Sequence, residues 1–186
     1  MDAPLGTTAR SDVVHRDLLV PKVSAVDAQG ALRIDFIDGV VFRPTRPVPH
    51  EDGTLAEVAR TDWEEIADPI VHAHVTTTEP GRVRAWGLHQ ASTDRLFVVK
   101  GLVSFVVFDG RVGSPTFGVV NEVKVSERSP GLLIIPPGLF HGWKVIGTEE
   151  AFIINMPTSP YRYDSPDALD LPYDSEQAQT VVPWRW

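Results

Sequence analysis

The sequence predicts an all-β domain, a sandwich or a closed barrel made of many short strands. Two observations carry this. From Ile70 onward apolar and β-branched residues come in short runs almost without interruption. Turn signals separate most of those runs: Pro80-Gly81, Asp109-Gly110, Ser129-Pro130-Gly131 and Pro137-Gly138. Short strands divided in this way suit a closed or two-layered β architecture. At 186 residues the chain fits one domain spanning 1–186, long enough to bury a core, and it shows no internal repeat.

Taken in order, residues 1–30 are weakly patterned and read as an arm. Leu32, Ile34 and Phe36 alternate with Arg33 and Asp35, which predicts a strand. Arg43 to Gly53 holds Pro44, Pro47 and Pro49 and reads as a loop. Thr61-Asp62-Trp63-Glu64 has capping-box spacing, which predicts a short helix near 62–67, ended by Pro69. Strands are then expected at Ile70–Thr77, Val83–His89, Leu96–Val99, Leu102–Phe108, Val119–Val125, Leu132–Ile135 and Ala151–Ile154. The core barrel is placed at about 30–160. Beyond Pro157 the chain is rich in Pro, Asp and Tyr and reads as a tail wrapping the surface.

The net charge of −8 disfavours nonspecific binding to nucleic acid or to an anionic membrane. With no cysteine, disulfides, thiolate nucleophiles and Cys-ligated metals are excluded. Met1 to Asp12 lacks the apolar centre of a signal peptide, and no apolar run approaches a membrane span. The expected setting is the cytoplasm.

Chemistry concentrates at two histidines. His89, followed by Asp94 and Val98-Val99-Lys100-Gly101, resembles the first motif of the cupin superfamily, and Pro136-Pro137-Gly138-Leu139-Phe140-His141 resembles the second. Gly87-Leu88-His89, Ser114-Pro115-Thr116-Phe117-Gly118 and Pro137-Gly138-Leu139-Phe140-His141-Gly142 together resemble the dTDP-4-keto-6-deoxysugar 3,5-epimerases. The resemblance runs from about Ile70 to Tyr161. It implies a double-stranded β-helix (a cupin or jelly-roll barrel), a homodimer, a sugar-nucleotide substrate and no cofactor. It also implies that His89 removes a proton beside the sugar ketone and that an aspartate near the C-terminus orients it. Asp174 is the first candidate for that aspartate and Asp170 the second. The expected substrate contacts are His72, His74, Arg84, Arg95, His141, Asn155 and Tyr161. Imidazole titrates near neutrality, and a carboxylate partner fixes its tautomer and raises its basicity.

Three positions depart from the family pattern. Asp94 stands where the family carries an enolate-stabilising lysine. Two like charges about 4 Å apart at an effective dielectric near 20 repel by roughly 4 kcal/mol. Arg95 is adjacent, but on a strand it faces the other way. The family's acidic tyrosine falls at Ile154 or Asn155, with Tyr161 and Tyr163 close in sequence. The arginine expected before the Gly-Leu-His motif is Trp86, with Arg82 and Arg84 as neighbours.

The same residues admit two other functions. His89, Asp94 and His141 form a two-histidine, one-carboxylate set suited to one divalent transition metal. Metal-binding cupins have a further histidine where this chain has Gly87, a gap that His72 or His74 could fill. The third option is a barrel that binds a sugar or nucleotide without turning it over. In most proteins Asp94 and Asp174 would be solvated aspartates, and His72 and His74 polar strand residues.

Overall fold

The computed structural model describes residues 26–28 and 33–186. The chain divides into two units, Met1–Ile34 and Asp35–Trp186. The second holds every strand named below. Leu32 lies outside the described residues, and Arg33–Phe36 do not form the strand that their alternation predicts. Their hydrogen bonds go elsewhere: Asn121 Nδ2 donates to the Asp35 carbonyl, and the Ile37 N–H donates to Asn121 Oδ1.

Ten strands form two five-stranded antiparallel sheets. The first has the order β1 (Val41–Pro44), β9 (Gly131–Ile135), β6 (Asp94–Lys100), β11 (Ala151–Asn155), β4 (His74–Thr78). The second runs β12 (Ala168–Asp170), β5 (Val83–His89), β10 (Phe140–Val145), β7 (Leu102–Phe108), β8 (Val120–Ser126). A small hairpin pairs β2 (Val48–His50) with β3 (Gly53–Leu55). From β4 to β12 successive strands pass from one sheet to the other, except for the β7–β8 hairpin within the second sheet, as in a cupin-type jelly roll.

The main core lies between the sheets. Leu96, Val98, Leu133, Ile135 and Ile153 from the first meet Val103, Phe105, Val107, Val123 and Val145 from the second. Two smaller clusters cover the outer faces. Phe97, Leu132, Ile134 and Met156 pack with Ile66 and Trp63, while Val106 and Phe108 pack with Trp86, Ala178 and Val182. Both faces of β6, β7 and β9 are therefore apolar, so these strands read as continuous hydrophobic runs rather than alternating ones.

The short helix expected near 62–67 does not form. That segment makes isolated turns instead, with the Trp63 N–H on the Arg60 carbonyl and the Ile66 N–H on the Trp63 carbonyl. So few residues before Pro69 cannot offset the cost of helix nucleation. Tertiary anchors hold the segment instead: Arg43 stacks on the Trp63 ring at 4.2 Å and binds Glu65 at 2.8 Å. The helix of the described residues is α1 (Glu176–Val181), N-capped by Ser175, whose Oγ accepts from the Ala178 N–H. It buries Ala178 under Trp86.

Two stretches for which no strand is expected contain strands. Arg43 to Gly53 takes in the end of β1, the whole of β2 and the first residue of β3. Its prolines are tolerated because β1 lies at a sheet edge and β2 in an exposed hairpin. The strand β10 follows directly on the Pro137-Gly138 turn. Gly142 breaks its apolar pattern, and the fold requires that glycine: a Cβ there would lie 2.3 Å from Ala85 Cβ. The register shifts between His141 and Gly142, so the two sides of this bulge pair differently with β5.

Candidate active site

Three side chains meet where the sheets face each other. His89 ends β5, Asp94 begins β6 and His141 is the second residue of β10. Asp94 Oδ2 is 3.3 Å from His89 Nε2 and 3.1 Å from His141 Nε2. Asp94 and His141 are buried, while His89 is half-buried at the edge of a cavity. The two imidazoles stack with centroids 5.5 Å apart.

Each member has an outer partner. His141 Nδ1 lies 3.1 Å from the Leu139 carbonyl, which can only accept, so this nitrogen carries the hydrogen. Asn155 Nδ2 donates to Asp94 Oδ1 at 2.8 Å, and Asn155 Oδ1 accepts from the Arg95 N–H. His89 Nδ1 faces Asp167 Oδ2 at 3.5 Å, an ion-pair separation rather than a close hydrogen bond. Asp167 is itself held by the N–H groups of Ala91 and Ser92. The carboxylate thus clamps the loop between β5 and β6 as well as facing the histidine.

The electrostatics follow from these contacts. The hydrogen bond to Asp94 raises the His89 pKa above its ordinary value, against the effect of burial, and Asp167 adds to the rise. Burial pushes the Asp94 carboxyl up, but His141 and His89 together outweigh it and hold it well below the carboxylate range. His74 is lowered, chiefly by desolvation and then by His72, whose ring lies 5.2 Å away.

The cavity holds about 480 Å³ and is lined by His74, Arg84, His89, Asp94, His141, Asn155, Tyr161 and Asp170 among others. A second cavity of about 400 Å³ adjoins it and shares His74, His89, Asp94, Asn155 and Tyr161. His72 lines only the second, and it precedes β4 rather than lying on one strand face with His74. Arg84 reaches over the Trp143 ring at 5.6 Å. Trp86, standing where the arginine was expected, is buried under the C-terminal Trp186.

Two of the expected site residues lie elsewhere. Arg95 points to the opposite face of its sheet, where its guanidinium donates to the carbonyls of Asp68 and Pro69. Strand alternation alone accounts for this. Asp174 is exposed in the turn before α1 and lines neither cavity. Asp167 is the carboxylate at His89, and sequence reading missed it. Its signal was weak: an aspartate after Pro166, just before a three-residue strand that pairs Ala168 with His89. Of the two candidates for the tyrosine position, Ile154 packs into an outer cluster and Asn155 faces the cavity.

A cupin barrel with a histidine held between carboxylates at the mouth of an inter-sheet cavity defines a class of small-molecule acid–base proteins. The chain belongs to the dTDP-4-dehydrorhamnose 3,5-epimerase family, whose model matches residues 37–180. It is 35% identical to the probable low-salt glycan biosynthesis epimerase Agl13 of Haloferax volcanii over 74% of this chain and 89% of that one. It is 32% identical to the spore coat polysaccharide biosynthesis protein SpsL of Bacillus subtilis over 76% of this chain and 93% of that one. Among solved structures it resembles a dTDP sugar isomerase from Desulfovibrio desulfuricans, with a TM-score of 0.73 and 26% identity, covering 81% of this chain and 92% of that one.

Proposed function

We propose that this protein is an epimerase acting on a dTDP-4-keto-6-deoxysugar, with His89 as the base. Family membership and the cavity-edge position of His89 support the reading, and the carboxylates on both its nitrogens carry it. In the reaction the C–H bond beside the ketone breaks and its proton passes to His89 Nε2. The electron pair moves onto the ketone oxygen as an enolate. The imidazolium that results is stabilised by the nearby carboxylates of Asp94 and Asp167. A solvent-derived proton returning to the opposite ring face completes the inversion.

Asp94 need not oppose the enolate at full strength, because both its oxygens are engaged by Asn155, His141 and His89. Arg84 and His74 line the cavity and are the substrate-facing donors in this reading. Asn155 holds the tyrosine's place without its acidity, which favours inversion at the sugar's third carbon alone. The protein is expected to act as a homodimer in the cytoplasm, which light scattering and cell fractionation test.

Proton NMR of dTDP-4-keto-6-deoxyglucose in heavy water with the metal-free protein tests the reaction. Deuterium at the third carbon alone is the expected result. Absence of exchange at every carbon overturns the epimerase reading.

A further inference from the structure

We propose that Arg95 is a positioning residue: its buried guanidinium fixes the main chain at Asp68-Pro69 and so sets where His72 and His74 stand at the cavities. What the two histidines contact rests on the epimerase reading; the positioning itself does not.

The segment that carries these histidines has little of its own to hold it. Residues 69–73 form neither helix nor strand, and Ile70 and Val71 are 36% and 50% exposed. Pro69 has no N–H to donate and restricts Asp68 to extended backbone. The strand that follows, β4, lies at the edge of its sheet and pairs on one side only, with β11. Ahead of that ladder, and among the described residues, the main chain of 68–71 takes its hydrogen bonds from Arg95. Nη2 donates to the Asp68 carbonyl at 2.9 Å, and Nη1 donates to the Pro69 carbonyl at a longer 3.4 Å.

The second argument is the cost of placing a cation there. Arg95 is 2% exposed and shares the outer face of β6 with Phe97, which packs with Leu132, Ile134 and Ile66. An apolar side chain suits that face, whereas a buried cation costs free energy unless it is well hydrogen-bonded. Among the described residues no carboxylate forms an ion pair with Arg95, and the charge of Asp68 acts on it only at longer range. The guanidinium fork meets two successive carbonyls instead, a geometry that the point charge of a lysine does not match. What the arginine holds accounts for its presence.

The third argument is what else the residue touches. The Arg95 N–H donates to Asn155 Oδ1, and Asn155 is the register partner of His74 across the β11–β4 ladder. Asp94, the residue before, lines the cavity from the other face of β6. Two successive residues thus refer the acid–base group and the histidine wall to one strand. His74 lines both cavities and His72 the second, with their rings 5.2 Å apart. A shift of 68–69 displaces this pair and spares His89, Asp94 and His141, which belong to β5, β6 and β10.

Arg95→Leu and Arg95→Lys are compared with the wild-type protein, and circular dichroism checks that each folds. In the ligand-free protein the imidazole NMR resonances of His72 and His74 should move in Arg95→Leu, while those of His89 and His141 stay. Arg95→Lys keeps the charge but reaches one carbonyl at a time, so it should move them less. With dTDP-4-keto-6-deoxyglucose, Arg95→Leu should raise KM about 10-fold and leave kcat within about threefold of wild type. Unmoved His72 and His74 resonances in folded Arg95→Leu, or equal movement of all four rings, overturns the proposal. If the leucine variant does not fold, the same resonances in Arg95→Lys decide. Absence of turnover by the wild-type protein counts against the epimerase reading alone, because the resonances are read without substrate.

Discussion

Asp94 Oδ2 on β6 stands 3.1 Å from His141 Nε2 on β10, so a buried carboxylate and a buried imidazole join the two sheets of the barrel. With His89 on the other side of the same oxygen, Asp94 is the point around which the site is organised.

Removing that carboxylate should cost stability as well as activity. Asp94→Ala leaves Asn155 Nδ2 and the two imidazoles without their buried partner. Breaking a buried charged network of this kind costs about 3–5 kcal/mol. Urea denaturation checks it, and a change below about 1 kcal/mol would place Asp94 outside the structural network.

The base has its own signature. His89→Ala should lower deuterium exchange at the third carbon by about 100- to 10,000-fold while leaving the fold intact. Exchange at the wild-type rate in this variant would remove His89 from the mechanism.

The pH dependence follows from the shifted groups. His89 is raised, so its basic form, and with it the exchange rate, should increase through an apparent pKa above about 6.5. Its stabilising contribution is present below about 6.5 and lost as the pH climbs through the folded value. Asp94 is depressed, so its contribution is present above about 3.9 and lost as the pH falls through the folded value. The pair should therefore stabilise most between roughly pH 4 and 6.5. NMR titration of the His89 ring checks the first part and melting temperature against pH the second.

Two aspartates of the tail should behave differently. Asp167→Asn should lower the His89 pKa and slow exchange, because the charge facing Nδ1 is lost. Asp174→Asn should leave both near wild type, since that side chain is exposed in a turn. Paired pH–rate profiles check this, and the reverse order would reassign the orienting carboxylate.

Gly142 ties the fold to the site. Gly142→Ala forces a Cβ against the β5 backbone, 2.8 Å from the Arg84 carbonyl and 2.9 Å from Ala85 Cα. Overpacking of this kind costs about 1–3 kcal/mol. Displacement of β10 should move His141 with it, so thermal stability and the deuterium-exchange rate should fall together.

Much of the barrel was legible because its strands obey local rules. Val83–His89 and Leu102–Phe108 have the bounds that their turns and apolar runs predict. The tail helix and β12 were not legible. Ala178 becomes apolar surface worth burying only once Trp86 is beneath it, and Ala168–Asp170 is a strand only because β5 offers it an edge. Thr61–Glu64 shows the converse: a local cap signal forms no helix, and the segment is held instead by Arg43 of β1, which engages Trp63 and Glu65.

The sequence by itself determined the β class, the family resemblance and the two histidines with Asp94, because these reside in short-range patterns of residue type. It also placed Arg95 on the face opposite Asp94, since strand alternation is local. Only the tertiary structure decided which carboxylate faces His89, that Asn155 grips Asp94, and that two imidazoles converge on one oxygen. Apart from His89 and Asp94, which sit on consecutive strands, those contacts join elements far apart in the chain. They depend on strand order, register and the bulge at His141, which no local pattern encodes.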